Sequence, residues 1–311
     1  MLAGALALAA LAAVCGGLFA RRARFLYRLV KQGKPADRRD DLAGRVKNEV
    51  VIVLGQKKLL HRVVPGLMHA FIFWGFLVLF PTILIAMISA VSRDSTLPWL
   101  GHQRWFEILA EVFAVLVLIG VATALVIRKL VRPARFEGSH LGEADVILFM
   151  IAGVVTTLLV WHHSSGALER IAVWAHLSFI FAFLAYLPHS KHLHIATAPF
   201  NVWLARTRDR GRLEPLRFDV PEEEMRFGAA TVADLTRKEI LDSFSCTECG
   251  RCQDACPAWA TGKVLSPKLL IMGVRDQVFA QSPLPIVGNG VPEEMIWDCV
   301  TCGACVEACP V

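Results

Sequence analysis

The chain has 311 residues, of which 55% are hydrophobic and only 19% are charged, and its mean hydropathy is +0.50. A protein surrounded by water needs more polar surface than this, so the composition predicts a membrane protein. The net charge of +6 is modest and forms no basic stripe, so we expect no nucleic-acid partner.

Five apolar segments are predicted to cross the membrane as helices: 2–20, 65–91, 105–127, 146–163 and 171–190. Each is close to the roughly 20 residues that span about 30 Å of hydrocarbon. The first segment lacks a basic stretch before it, and its positive charges follow it, so we expect a transmembrane helix and not a signal peptide. Cys15, inside this helix, is expected to be a small core residue.

The basic residues of the loops predict the orientation. Segment 21–62 carries thirteen Lys or Arg residues and segment 128–135 carries four, whereas segments 92–104 and 162–170 carry two and one. The positive-inside rule then places the N-terminus outside, and everything after residue 190 in the cytoplasm.

Histidines lie in or beside these segments, where ionisable groups are costly and therefore suggest a function. They are His69 in the second segment, His162 and His163 at the outer end of the fourth, His176 in the fifth, and His189, His192 and His194 at its inner end. A single buried histidine is as easily explained by a structural hydrogen bond, but the set favours metal ligation.

His176 and His194 are 18 residues apart, which is five helical turns. If the helix continues through Pro188, both lie on one face, about 27 Å apart along the axis. Two ligands on one face, near opposite membrane surfaces, suit two stacked b-type haems.

Three motifs accompany these histidines: Leu67-Met68-His69, Ala175-His176-Leu177, and Leu187-Pro188-His189-Ser190-Lys191-His192-Leu193-His194-Ile195 with Pro199. They resemble the gamma (cytochrome b) subunit of respiratory nitrate reductase over residues 1–205. The resemblance implies that His69 and His194 ligate an inner haem b, and that His176 ligates an outer one. Leu79 stands where the second outer ligand is expected, so His163 or His162 is the candidate substitute.

Eight cysteines form a repeated motif, Cys246-x2-Cys249-x2-Cys252-x3-Cys256-Pro257 and Cys299-x2-Cys302-x2-Cys305-x3-Cys309-Pro310. Three closely spaced thiolates bind three irons of a [4Fe–4S] cluster, and the fourth iron is ligated by the distant cysteine of the other motif. The predicted ligand sets are therefore Cys246, Cys249, Cys252 and Cys309 for one cluster, and Cys299, Cys302, Cys305 and Cys256 for the other. Zinc sites rarely have a third cysteine at the same two-residue spacing after a Cys-x2-Cys pair, and disulfides are disfavoured in the cytoplasm.

The predicted fold is thus an all-α membrane bundle of five transmembrane helices plus a small, mainly α-helical domain with two [4Fe–4S] clusters. The membrane domain is expected over 1–205, a linker over 206–235, and the two-cluster domain over 236–311. A short amphipathic helix is predicted from Thr236 to Phe244, and one or two helices between Pro257 and Val278.

Sequence around the cysteines is distinctive: Cys246-Thr247-Glu248-Cys249-Gly250-Arg251-Cys252, Leu265-Ser266-Pro267-Lys268, and Trp297 ahead of Cys299-Val300-Thr301-Cys302-Gly303. It resembles the membrane-bound iron–sulfur oxidoreductases related to heterodisulfide reductase, and within them the electron-transfer-flavoprotein:menaquinone oxidoreductases. Those relatives continue into cysteine-rich CCG domains, so we expect a chain ending at Val311 to be truncated at its C-terminus.

This second resemblance implies respiratory electron transfer, in a prokaryotic cell membrane, from reduced electron-transfer flavoprotein to menaquinone. It implies no catalytic residue, because the chemistry belongs to the cofactors. One alternative is a heterodisulfide-reductase-like or sulfite-reduction-associated subunit, in which quinol electrons run toward a thiol or disulfide. Another is a structural or sensory membrane anchor whose clusters report the redox state.

Overall fold

The structure is a computed structural model that describes residues 2–36, 38, 40–92, 95–207, 216, 218–222, 225 and 227–311. Of the residues in these ranges, 73% are helical and none belongs to a β-strand. It divides into two compact units. The first comprises Met1–Ala23, Leu59–Pro133 and His140–Ser190, and the second comprises Arg24–Lys58, Ala134–Ser139 and Lys191–Val311. The segment expected to be a linker, 206–235, lies partly outside the described residues.

The α-helices follow one another along both units. In chain order they are α1 (Leu2–Gln32), α2 (Leu42–Asn48), α3 (Lys57–Leu60), α4 (Val63–Val91), α5 (Arg104–Val126), α6 (Leu141–His162), α7 (Gly166–Tyr186), α8 (His194–Trp203), α9 (Arg237–Ser245), α10 (Arg251–Asp254), α11 (Pro257–Ala260), α12 (Pro267–Ala280), α13 (Ile286–Asn289), α14 (Glu293–Trp297) and α15 (Ala304–Ala308). Short 3-10 turns at Leu187–His189 and Lys191–Leu193 separate α7 from α8.

Within the described part of the chain, five helices are long and apolar enough to cross a membrane, namely α1, α4, α5 with its π-helical extension to Val131, α6, and α7 with the turn to His189. The five predicted spans are therefore confirmed by length and composition. Helix α1 continues to Gln32, well past the end of the apolar run at Ala20, because the basic segment that follows also favours a helix. An apolar run marks the part of a helix that lipid accepts, and capping and backbone chemistry decide where the helix ends.

In the first unit, α4 packs on α5, α5 on α6, α6 on α7, and α7 on α4. The buried face of α5 carries small side chains at Ala110 and Ala114. A Cβ atom added to Gly120 would lie 2.9 Å from the carbonyl oxygen of Met68, so α4 and α5 approach closely at this point. Small residues at such contacts are typical of helices that associate within a membrane.

Helix α1 joins the first unit through Leu8, Leu11, Ala12 and Cys15. These residues pack on a cluster formed by Ala86, Val173, Leu177 and Phe181 of α4 and α7. Cys15 is thus a partly buried packing residue, as the sequence predicted.

In the second unit, the C-terminal part of α1 contributes Leu26 and Leu29 to a core shared with α9 and α12. Phe244 stacks on Phe279 within this core, with ring centroids 5.0 Å apart. Thr236 caps α9 through a capping box, in which its hydroxyl accepts from the N–H of Glu239 and its own N–H donates to the Glu239 carboxylate. The amphipathic helix predicted here is confirmed, beginning at Arg237.

In the same unit, buried Arg45 caps the C-terminal end of α8. Its guanidinium donates to the carbonyl oxygens of Trp203 and, at 3.1 Å, Ala205, and it also contacts Asp40. A cation placed on the last carbonyls of a helix satisfies groups that have no partner within the helix and complements its dipole.

Candidate metal centres

The two cysteine motifs share one backbone conformation. Glu248, before the second cysteine of the first motif, has φ 56°, and Gly250, after it, has φ 73°. Thr301 and Gly303 occupy the matching positions of the second motif with φ 54° and 75°. In each motif this left-handed pair turns the chain around the second cysteine, and a short helix, α10 or α15, then carries the third.

The fourth cysteine of each motif interacts with at least one cysteine of the other motif. Cys309 interacts electrostatically with Cys249 and Cys246, and Cys305 interacts with Cys299 and Cys256. Cys252 interacts with both Cys309 and Cys305, and the assignment of the eight cysteines to two ligand sets stays a prediction.

Burial raises the pKa of the Cys309 thiol to about 12, and it also raises the pKa values of Cys246, Cys252 and Cys305. Such thiols bind metal only by releasing their protons, so cofactor binding here is coupled to deprotonation. Among the residues described, no three His, Cys, Asp or Glu side chains converge tightly enough to hold one metal ion. Each thiolate of a [4Fe–4S] cluster binds a different iron, so the donor set suits a cluster without that convergence.

The first motif is surrounded by buried charges that the sequence did not predict. Glu248 is almost fully buried, and its carboxylate accepts from Lys191 at 2.6 Å and from Arg275 at 2.9 Å. Lys268, at the start of α12, is also completely buried. Glu248 can be singled out from the sequence, because the matching position of the second motif holds the uncharged Thr301. No sequence pattern indicates that Lys268, Lys191 or Arg275 is buried.

His176 has the hydrogen bonding of a metal ligand. It is 1% exposed in α7, and its Nδ1 lies 2.9 Å from the carbonyl oxygen of Val154 and 3.2 Å from the Thr157 hydroxyl. Its Nε2 is buried and has no hydrogen-bond partner among the described residues. A ligating histidine commonly donates from one nitrogen to a backbone carbonyl, which leaves the other nitrogen for the metal. The ring therefore fits the haem-ligand role.

His69 and His194 belong to different units. His69 lies in α4 of the first unit, where its ring stacks on Phe73 with centroids 6.4 Å apart. His194 begins α8 of the second unit, and its Nδ1 lies 2.8 Å from the carbonyl oxygen of Lys191. Burial of the His194 ring lowers its pKa, which favours the neutral form that binds metals.

The helix does not continue from His176 to His194, which was the condition for placing both histidines on one face. Helix α7 ends at Tyr186, and two 3-10 turns follow before α8. Proline has no N–H to continue the hydrogen-bond ladder, so Pro188 ends the helix. The shared-face argument for these two histidines, with its distance of about 27 Å, therefore does not apply.

The candidate substitutes for the outer haem lie beside a carboxylate. The exposed His163 has its Nε2 3.3 Å from Glu111, and His162 has its Nδ1 3.5 Å from the same oxygen. Leu79, at the position where the resemblance implies a ligand, is buried in the apolar core of the first unit.

Comparison with known proteins identifies the C-terminal part. Residues 245–311 match the family model of 4Fe-4S dicluster domains. The chain is 29% identical to a probable iron-sulfur-binding oxidoreductase, FadF, of Bacillus subtilis, in a match that covers 84% of this chain and 47% of that protein. It is 28% identical to an EtfAB:quinone oxidoreductase of Syntrophomonas wolfei, over 88% of this chain and 48% of that protein.

A probable membrane-anchored ferredoxin of Chromohalobacter salexigens is 33% identical over 38% of this chain and 22% of its own length. The chain spans about half the length of the two oxidoreductases, at 47% and 48%. No solved structure matches it significantly. Its fold and its matched domain make this chain an all-α membrane protein, with five apolar helices and a C-terminal 4Fe-4S dicluster domain.

Proposed function

We propose that this chain transfers electrons between reduced electron-transfer flavoprotein in the cytoplasm and menaquinone in a prokaryotic cell membrane. An oxidoreductase role with iron–sulfur clusters is supported by the dicluster domain and by the two oxidoreductase relatives. One observation carries the proposal: a single chain joins this domain to apolar helices that contain His176. The Nε2 of this buried imidazole has no hydrogen-bond partner in the part of the chain that the structure describes.

The chain's own residues hold and insulate the carriers. Cys246, Cys249, Cys252 and Cys309 would hold one cluster, and Cys299, Cys302, Cys305 and Cys256 the other. Clusters and haem, when bound, supply one-electron transfer. The left-handed turns at Glu248 and Gly250 present the thiols, and the buried surroundings of Cys309 limit the access of water to them.

The haem part of the proposal assigns His69 and His194 to an inner haem b and His176 to an outer one. The assignments of His69 and His194 rest on the resemblance to the nitrate reductase gamma subunit. His176 has in addition its bond to the Val154 carbonyl, which fixes the ring so that Nε2 is available. His163 stays the candidate partner for the outer haem.

The proposed orientation places the N-terminus outside and the dicluster domain in the cytoplasm, where a soluble flavoprotein can reach it. The thirteen basic residues of segment 21–62 support this orientation.

Visible spectroscopy of membranes containing the chain tests the function. Electron-transfer flavoprotein, kept reduced by an acyl-CoA dehydrogenase and its substrate, should reduce a b-type absorption band, and added menaquinone should reoxidise it. The His69→Ala variant is the matched control, because it should lose the inner-haem band but keep the iron–sulfur EPR signals. Reduction of the band by quinol alone, with no response to the flavoprotein, would overturn the proposed donor and direction.

A further inference from the structure

Lys268 is a buried cation whose three protons are all used. Its Nζ donates to the carbonyl oxygens of Arg135, at 2.9 Å, and Glu137, and to the Ser139 hydroxyl at 2.9 Å. Three donors on one nitrogen require the charged ammonium form. Burial and the neighbouring Lys191 lower the pKa of Lys268, while Glu248 and, once ionised, the thiolates of Cys252 and Cys246 act in the opposite direction.

This charge is linked directly to the ligand loop of the first motif. Ser139 accepts from Lys268 and donates its own proton to the carbonyl oxygen of Glu248, 3.1 Å away. Glu248 is the residue between Thr247 and Cys249, inside the loop that presents the thiols. One hydroxyl group therefore separates the ammonium from the backbone of the loop.

Glu248 also brings two further cations to the loop. Its carboxylate pairs with Lys191 and Arg275, whose side chains are 7% and 13% exposed. Arg275 lies 3.6 Å from Asp276 as well, but that carboxylate is 64% exposed and its effect is screened by solvent. Lys58 donates to the carbonyl oxygen of Cys309, a predicted ligand of the same cluster, at 2.7 Å. The first ligand set thus has an excess of fixed positive charge.

The second motif has different surroundings. Thr301 replaces Glu248 at the matching backbone position, and Cys299 and Cys302 are exposed. The residue before Cys299 is an acid, Asp298, whose partner at 3.2 Å is Lys263, a side chain 58% exposed. Solvent screens the charge of Lys263, whereas the Asp298 carboxylate is only 11% exposed and adds negative charge beside the second motif.

Reduction adds one electron to a cluster that, with its four thiolates, is already negative. Fixed cations in a medium of low dielectric constant stabilise the more negative, reduced state more than the oxidised state. We propose that Lys268, together with the ion cluster of Glu248, Lys191 and Arg275, raises the reduction potential of the first-motif cluster above that of the second-motif cluster. The first-motif cluster is then the first to be reduced. This inference rests on the proposed function insofar as both clusters are present.

Potentiometric EPR of the purified protein, reduced stepwise with dithionite and mediators, tests the proposal. In Lys268→Met, the ratio of reduced to oxidised cluster at a fixed potential should fall at least tenfold for the higher-potential signal. A tenfold change in a one-electron couple corresponds to about 59 mV. Glu248→Gln removes the carboxylate that offsets Lys191 and Arg275, so the same signal should move in the opposite direction.

Two controls separate charge from packing. Lys268→Arg keeps the charge and should keep the potential, and Lys263→Met removes an exposed cation near the second motif and should leave the higher-potential signal unchanged. If Lys268→Met fails to assemble its clusters, Glu248→Gln carries the test. Equal shifts of both signals, no shift in either variant, or a response confined to the lower-potential signal would overturn the inference.

Dithionite replaces donor and quinone in this titration, so its result is independent of the proposed partners. If the cluster potentials are as predicted but electron-transfer flavoprotein does not reduce the b-type band, only the proposed donor is overturned. Fewer than two clusters by iron and sulfide analysis would overturn both proposals.

Discussion

The Nδ1 of His176 lies 2.9 Å from the carbonyl oxygen of Val154, so α6 fixes the orientation of an imidazole that belongs to α7. We expect His176→Ala to remove a b-type haem, because the unpartnered Nε2 that would bind iron is lost. The pyridine haemochrome assay should show less haem per protein, while the iron–sulfur EPR signals persist. His102→Ala, which changes an exposed histidine outside the helices, is the control and should keep all the haem.

Crossed ligation predicts which pairs of cysteines belong together. Cys246→Ala and Cys309→Ala should remove the same cluster, so the double variant should retain about half of the non-haem iron. Cys246→Ala combined with Cys256→Ala should remove both clusters and nearly all of the non-haem iron. Iron and sulfide analysis checks this, and the reverse pattern would show that each motif ligates its own cluster.

Gly250 combines a left-handed backbone with close packing. A Cβ atom at this position would collide with the carbonyl oxygen of Arg135, and φ is 73°. Gly250→Ala should therefore displace the loop and reduce occupancy of the first-motif cluster, as measured by iron content and EPR. Gly262 has a similar φ of 77° but no neighbour within 4 Å of an added Cβ. Gly262→Ala carries the same backbone strain without the collision, and both clusters should persist in it.

Asp234 accepts from Lys34 at 2.9 Å and from the backbone N–H of Thr231 at 3.1 Å. These bonds, that of Lys34 foremost, hold the pKa of Asp234 well below its usual range. A depressed pKa stabilises the folded state above the unfolded-state value of about 3.9, and the contribution is lost as the pH falls further.

Asp234→Asn should thus lower the thermal unfolding temperature equally at pH 6 and pH 8, and the deficit should shrink below about pH 4. Thermal unfolding in detergent, followed by tryptophan fluorescence, measures the effect. Asp276→Asn, at a side chain 64% exposed, should change little at any pH. A deficit that grows as the pH falls would contradict the assignment.

The membrane helices and the cysteine loops were predictable because each is defined by a repeated pattern. An apolar run of span length is sufficient to predict α4 or α5, and the spacing of Cys246, Cys249 and Cys252 is sufficient to predict the loop that holds them. The end of α7 was less certain, since Pro188 is compatible with either a kink or a break. The structure has a break.

The buried charges were not predictable. A lysine in a polar segment is ordinarily exposed, and nothing near Lys268 in the sequence indicates that residues 134–139 supply its acceptors. Such a contact joins residues more than 125 positions apart, at separations of 129 to 133. Hydrophobic periodicity contains no information about pairs of this kind.

The break between α7 and α8 also affects how this region tolerates insertions and deletions. In a continuous helix, one inserted residue turns everything beyond it by about 100°. Here the orientation of His176 depends on α7 and on Val154, and that of His194 on the turn at Lys191. A change in length within 187–190 would therefore leave the His176 ring in place. The orientations of the two imidazoles can thus change independently of each other in homologous chains.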